Sequence, residues 1–462
     1  MIRIDRARTP QDLVPRIDRL FSLSAGKIRS IEQSARTGDG APVFTVGGRY
    51  TARGWTEWTE GFQYGSSLLQ FDATGEREFL ELGRERTLTR MAPHLTHVGV
   101  HDHGFNNVST YGALWRLALE GRIDASEWER RFYALALKVS GAVQARRWTT
   151  IPGGGYIYSF NGAHSLFVDT IRSLRALALS HVLGHRLVEE QEAQVNLLAR
   201  LLQHAQATAQ YNVFYGRSSG PYDVRGRVAH ESLFNVANGT YRGPSTQQGY
   251  SPFSTWTRGL AWAMLGFAEQ LEFLSTLTAD DAQSSGAASA VPALLDAARA
   301  TCDFYIDSAA CADGIPYWDT GAPGLSALGD WGSRAADPFN DREPVDSSAA
   351  AIGAQGLLRF GRLLTERGED GARYTQAGLR VLDTLFDEAG PYLSQDANHQ
   401  GLLLHSVYHW PNGWDHVPAG ARVPRGESSQ WGDYHAREAA LYVKRLAENG
   451  AYLAFFGPGG RL

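Results

Sequence analysis

Residues 346–364, DSSAAAIGAQGLLRFGRLL, decide how the rest of the chain is read. Asp346 and the two serines after it offer side-chain oxygens to the free amides that begin a helix. A run of small residues follows, and then Leu357, Leu358, Leu363 and Leu364 fall at helical spacing. A helix that opens on alanine and glycine lets its neighbours come close. The same build recurs at 254–266, STWTRGLAWAMLG, so a crowded centre of helix against helix is expected.

Working outward, helical spacing recurs over 57–71, 76–93, 108–120, 126–144, 164–183, 186–211, 254–275, 291–309, 346–366, 371–388 and 433–448. Residues 10–35 read as an N-terminal helical pair. Most of these segments follow a Ser, Thr or Asp able to cap them, and the short connections imply antiparallel hairpins. The expected fold is all-α: a six-hairpin α/α toroid forming one catalytic domain over 1–462. Short β-hairpin insertions are expected at 222–242 and 402–410, and a surface connector at 281–290. No short-period repeat supports this count, so it rests on the helices alone. In such a ring, polar side chains converge where the loops of successive hairpins meet.

Composition narrows the function. The chain has 462 residues, long enough for a large core, and a net charge of −5, so nothing points to a basic surface for nucleic acid. No apolar run of about 18 residues is present, so no membrane span is expected. The charged opening MIRIDRARTPQDL lacks the apolar core of a secretory signal. Two cysteines, Cys302 and Cys311, cannot build a disulfide framework or a cysteine metal cage, and a reducing, cytoplasmic compartment is expected. With 12 Trp and 19 Tyr, the chain can line clefts that stack on sugar rings.

Polar chemistry gathers in four places. In VGVHDHGFNN (98–107), His101, Asp102 and His103 precede an apolar helix. A metal site is one reading, but adjacent side chains on an extended segment point to opposite faces, and no spaced ligand pair completes it. Capping of the next helix by Asp102 is the plainer reading, and a catalytic carboxylate a third. Asp169 lies in the apolar stretch 164–183, where a buried carboxylate must be paired or kept protonated. It either pairs with Arg172 or Arg175 or caps a neighbour, or is a general acid whose pKa burial has raised. The segment 229–269 brings Gln247, Gln248, Trp256 and Arg258 together at a helix start, suited to stacking on a sugar and meeting a carboxylate or sulfate. Trp262, deeper in that helix, reads as core. In the fourth cluster, YWD (317–319) with Asp346, capping accounts for Asp346. No phosphate loop, nucleophile elbow or dinucleotide fingerprint is present.

Taken in order, these clusters resemble the unsaturated glucuronyl hydrolases of glycoside hydrolase family 88. The likeness runs from about residue 55 to 445 and is carried by WTEGF (58–62), HDHGF (101–105), VDT around Asp169, QQGYSPFSTWTRGLAWAMLGFAE (247–269), YWD with DSSAAAI (346–352), GLLLHS (401–406) and WGDYHAREAAL (431–441). The resemblance implies the six-hairpin toroid and a glycoside hydrolase with no cofactor or metal. It implies Asp169 as general acid/base, Asp102 as a second essential carboxylate and His230 at the reacting end. Trp58, Gln248, Trp256 and Arg258 fall at substrate-contacting positions. The implied substrate is a small oligosaccharide, left by a polysaccharide lyase, that ends in a 4,5-unsaturated uronic acid. Its vinyl ether is hydrated, so the carboxylate-separation rule of ordinary glycosidases does not apply.

The chain departs from the family pattern in three places: Pro252 and Phe253 replace an acidic pair, Gln247 replaces a histidine, and the residues around Asp169 differ. They keep open a hydrolase of a different activated glycoside on the same fold, for example one oxidised on the ring. A sugar isomerase or epimerase and a carbohydrate-binding module without catalysis are further alternatives.

Overall fold

The computed structural model describes residues 1–4, 7–34, 40–53 and 57–457. Twelve helices carry the fold: α1 (Val14–Ser34), α2 (Glu60–Thr74), α3 (Arg77–Arg90), α4 (His103–Asn107, a π-helical turn Val108–Gly112, then Ala113–Leu119), α5 (Glu127–Arg146) and α6 (Thr170–Ser173 and Arg175–Val182), followed by α7 (Leu197–Tyr211), α8 (Thr257–Leu274), α9 (Ala287–Phe304), α10 (Ser347–Glu366), α11 (Ala372–Leu385) and α12 (Gln430–Ala447). The even-numbered helices form an inner ring in which each packs on the next, and α12 closes it against α2. The odd-numbered helices lean on this ring from outside. This is the expected α/α toroid.

Small residues make the inner ring. Every residue of α8 is buried, as is α10 from Ser347 to Gly361. A Cβ on Gly356 of α10 would lie 2.8 Å from the backbone nitrogen of Leu265 on α8, so these two helices touch backbone to backbone. The ring's centre is polar. Arg172 and Arg175 of α6 meet Glu269 of α8 and Glu438 of α12, all buried, in a balanced charge network.

Four small sheets decorate the ring. Strands β1 (Pro42–Val46) and β2 (Arg49–Ala52) form a hairpin, as do β3 (Trp148–Ile151) and β4 (Gly154–Ile157). Strand β5 (Ser165–Phe167) joins β8 (Glu231–Phe234) and β9 (Tyr241–Ser245), while β6 (Leu187–Val188) pairs with β7 (Gln194–Val195).

Several expected boundaries move. The N-terminal pair is one continuous α1 preceded by a 3-10 turn (Pro10–Leu13), and its expected last residue, 35, lies outside the described residues. The segment 164–183 is not one helix: β5 precedes α6, because Ser165–Phe167 pairs with distant β8. Residues 186–196 form the β6–β7 hairpin, and α7 begins after its cap at Asn196. The connector at 281–290 is helical, over Ala279–Ser285 and then the start of α9. The insertion at 222–242 contains β8 and the start of β9, whereas 402–410 contributes only an isolated bridge, Leu393 with Leu403. Among the described residues no helix is long and apolar enough to cross a membrane.

Candidate active site

Five of the residues singled out in the sequence sit at the N-terminal ends of the inner helices. Trp58 precedes α2, Asp102 precedes α4, Asp169 precedes α6, Trp256 caps α8 and Arg258 lies in its first turn. They border one cavity of about 510 Å³, completed by Gln247, Gln248, Phe160 and the loop residues Tyr408, His409, Asn412 and Trp414. The positive ends of several helix dipoles therefore point at the same space, which favours an anionic guest.

The two carboxylates face the same nitrogen of one imidazole. His101 Nε2 is 3.2 Å from Asp169 Oδ1 and 3.7 Å from Asp102 Oδ1, and all three residues are buried. Asp102 does not cap α4 with its side chain; its backbone carbonyl takes the Phe105 and Asn106 amides instead. The capping reading is corrected, because the carboxylate is turned toward His101. The pairing of Asp169 with Arg172 or Arg175 is corrected too, since both arginines face the ring's centre.

Electrostatics invert one expectation. Burial alone would raise the Asp169 pKa, but the hydrogen bond to His101 and the charges of His101 and Arg258 hold it below the ordinary carboxylate value. The raised carboxyl is Asp102: burial pushes it up, His101 pulls it back only in part, and the Asp169 charge pushes it further. Burial alone would lower His101, but Asp102 and Asp169 raise it above the ordinary imidazole value.

The loop that carries His101 is clamped to the start of α6. Ser173 Oγ donates to His101 O at 2.7 Å and accepts from Gly104 N at 2.9 Å, while Gln144 Nε2 donates to both His101 O and Ser173 Oγ. A Cβ on Gly104 would meet Ser173 O at 2.2 Å, so only glycine lets α4 lie this close to α6. Gly104→Ala is expected to destabilise the fold by about 1–3 kcal/mol through overpacking. It also draws His101 and Asp102 away from Asp169. Thermal unfolding and turnover of the same sample check this; unchanged values for both would refute the clamp. His103 faces away, between Ser140 Oγ and the His97 carbonyl, and burial pushes its pKa down to about 4. Among the described residues no group of three or more His, Cys, Asp or Glu side chains is placed to hold a metal ion.

Arg258 is expected to meet a substrate carboxylate or sulfate, but its terminal nitrogens are fully engaged. Nη1 donates to Asp346 Oδ2 at 3.0 Å and to the Val407 carbonyl, and Nη2 donates to Gln248 Oε1 at 2.8 Å and Tyr408 O at 2.7 Å. The guanidinium lies 4.5 Å from the Trp256 ring centre and 4.9 Å from that of Trp431. Arg258 is thus a buried tie between three walls, and Gln248, whose carbonyl oxygen it occupies, is left with its NH₂ to donate. Asp346 does more than cap: Oδ1 takes the Ser348 and Ala349 amides while Oδ2 takes Arg258.

His230 does not border the cavity. It stands against Phe167 and Trp256, with ring centres 4.4 and 4.8 Å away. Its Nδ1 accepts from Gln247 N at 3.0 Å, which leaves the neutral ring with its proton on Nε2, and burial drives its pKa down to about 4. It braces the Gln247–Gln248 backbone from behind. Trp58 stacks on Trp431 at 5.2 Å, and Trp262, read as core, reaches the cavity floor.

Sequence reasoning missed His101 as the link between the carboxylates, although it had been weighed as a metal ligand. It also missed the wall formed by Tyr408, His409, Asn412 and Trp414. The aromatic-rich YHWPNGW (408–414) was the available signal. Asp415 fixes that loop by accepting the Tyr408 and His409 amides at 2.5 and 2.8 Å.

No family model matches the chain. The unsaturated glucuronyl hydrolase of Bacillus sp. (strain GL1) is 26% identical over 421 residues, covering 88% of this chain and 92% of that protein. The chain is similar to the unsaturated glucuronyl hydrolases along most of its length. An unsaturated chondroitin disaccharide hydrolase of Streptococcus pyogenes serotype M1 is 23% identical over 396 residues, covering 84% of this chain and 81% of its own. The crystal structure of an unsaturated glucuronyl hydrolase specific for heparin superposes with a TM-score of 0.70 at 19% identity, over 96% of this chain and 99% of that one. This similarity and the shared toroid agree with the placement of the HDHGF, VDT and QGYS segments around one cavity.

Proposed function

We propose that the chain hydrates the C4=C5 bond of a terminal 4,5-unsaturated uronic acid on a small oligosaccharide and so releases the uronate from its neighbour. The whole chain acts as one catalytic domain. The observation that carries this reading is the array Asp102–His101–Asp169 on the wall of an aromatic-lined cavity. It supplies a proton donor and a proton acceptor in one place, beside Trp58, Trp256 and Trp414, whose faces suit a flat, unsaturated sugar ring. The converging helix N-termini favour the uronate carboxylate, and the Gln248 NH₂ is a donor for it.

Asp169 gives its proton to C4, and the electron pair of the double bond forms the new C–H bond. C5 is left electron-poor and is stabilised by the ring oxygen. Water adds at C5, and its proton returns to the Asp169 carboxylate. The bond between C5 and the ring oxygen then breaks to a ketone. The hemiacetal so formed at C1 expels the neighbouring sugar as an alcohol, leaving an aldehyde. Asp102 adds negative charge that favours the protonated form of its neighbours. The setting is a reducing, cytoplasmic one, in keeping with Cys302 and Cys311, both free and buried.

The test is a panel of lyase-generated unsaturated disaccharides followed by ultraviolet absorbance. The wild-type protein is expected to abolish the absorbance of the double bond conjugated to the carboxylate as the two sugars separate. Cleavage of a glycoside with that chromophore intact would favour a different activated substrate. A product of unchanged mass would favour an isomerase.

A further inference from the structure

The proton needed at C4 has no obvious source in Asp169 itself, which the free site holds as a carboxylate. The ring of His101 is buried, stacked on Phe160 with ring centres 6.0 Å apart and met edge-on by Phe167 at 5.6 Å. Its Nδ1 is buried without a partner, so proton exchange runs through Nε2 alone, and Nε2 faces the two carboxylates. Its backbone is fixed by Ser173 and Gln144 on two different helices. This ring is held far more rigidly than a helix cap or a packing filler needs.

We propose that His101 is the positioning residue that stores the catalytic proton between Asp102 and Asp169 and passes it to Asp169 when substrate fills the cavity. The proposal rests on the hydration reading above and deepens it. In the free site the proton sits on Nε2, in a hydrogen bond to Asp169 Oδ1. Substrate displaces water, and in a drier cavity a neutral imidazole beside a neutral carboxyl is favoured over an ion pair. The proton then crosses the 3.2 Å bond from Nε2 to Oδ1. Asp169 delivers it to C4, regains one from the adding water, and returns it to Nε2, so the cycle balances.

Other groups around the ring do not compete for this proton. Arg147, at the end of α5, is a fixed positive charge that opposes protonation of His101. His204 of α7 accepts the Ile157 amide at Nδ1, and burial drives its pKa down to about 3. His230 of β8 is likewise neutral near pH 7. Asp102 and Asp169 are the groups that favour the charged ring.

Two measurements test this. In the free wild-type protein, nitrogen NMR of the histidine rings should show His101 titrating above the ordinary imidazole value of about 6.5, and Asp169→Asn should lower it. A ring that titrates at or below that value overturns the proposal whether or not any substrate is turned over. His101→Gln keeps an N–H within reach of Asp169 but cannot store a proton. It should lower kcat about 100-fold with KM little changed, and move the high-pH limb of the rate profile toward acid. A His101→Gln profile that superimposes on the wild-type one overturns it as well. If the wild type turns over no unsaturated disaccharide, the hydration reading fails, while the NMR titration still decides the role of His101.

Discussion

Asp169→Asn is expected to lower kcat on an unsaturated disaccharide by at least about 100-fold and up to about 10,000-fold, the range associated with a positioned general acid–base. Asparagine keeps the size of the side chain and an oxygen that can accept from His101 Nε2, so the cavity wall and substrate affinity should change little. What disappears is the capacity to carry a proton to C4 and to take one from water. A loss in kcat with KM held is the signature of an interaction used only in the transition state. The same assay tests the assignment itself. Because Asp102 is the carboxyl with the raised pKa, it is the natural rival as donor. If Asp102→Asn costs more in kcat than Asp169→Asn, the roles are exchanged. The geometry favours Asp169, since it lies within hydrogen-bonding distance of the stored proton and Asp102, at 3.7 Å, does not.

The activity should also be bell-shaped in pH. The array works while it holds a proton that can move and a carboxylate that can receive one. Turnover falls as pH rises through the raised His101 value, because the stored proton is lost. It falls again in acid, where both carboxyls are protonated and none is left to accept from water.

Local chemistry made most of the ring legible. Small residues at the starts of α8 and α10 announced close packing, and Gly356 against Leu265 is that packing. Motif order placed Trp58, Asp102, Asp169, Gln248, Trp256 and Arg258 in one site, and all of them border the same cavity. What escaped depends on partners far away in sequence. Helical spacing over 164–183 could not reveal that Leu166 pairs with Ser232, which turns the segment before Asp169 into a strand. Helix α1 runs through Gly26 because tertiary packing outweighs a propensity cost of about 1 kcal/mol. The lowered pKa of Asp169 was equally hidden. Burial could be read from its apolar neighbours, but the imidazole that outweighs burial arrives from residue 101.

Arg172→Met should be the most damaging change outside the cavity, destabilising the fold by about 3–5 kcal/mol. Arg172 lies one helical turn beyond Asp169, with its side chain fully buried at the ring's centre. Nε and Nη2 form a fork onto Glu269 at 3.0 and 3.2 Å, Nη2 also reaches Glu438 at 2.5 Å, and Nη1 contacts His435. Methionine fills much of the volume but leaves the two buried carboxylates with Arg175, at 3.7 and 3.9 Å, in place of a fully hydrogen-bonded guanidinium. Burial alone would raise the Glu438 pKa, but Arg172, His435 and Arg175 hold it well below the ordinary carboxylate range. Its contribution is therefore complete above the unfolded-state value of about 4.3 and is lost as pH falls below it. With Arg172 gone that pKa rises, and acid sensitivity extends to higher pH. Thermal unfolding across pH measures both effects. The control is Arg131→Ala, which breaks an exposed pair with Glu127 whose side chains are 75% and 71% accessible and should change nothing measurable. A midpoint shift for Arg172→Met no larger than this control would mean that the charged centre does not hold the ring together. Because Asp169 and Ser173 share the start of α6 with Arg172, a real loss there should also disorder the His101 clamp and lower turnover at temperatures the wild type tolerates.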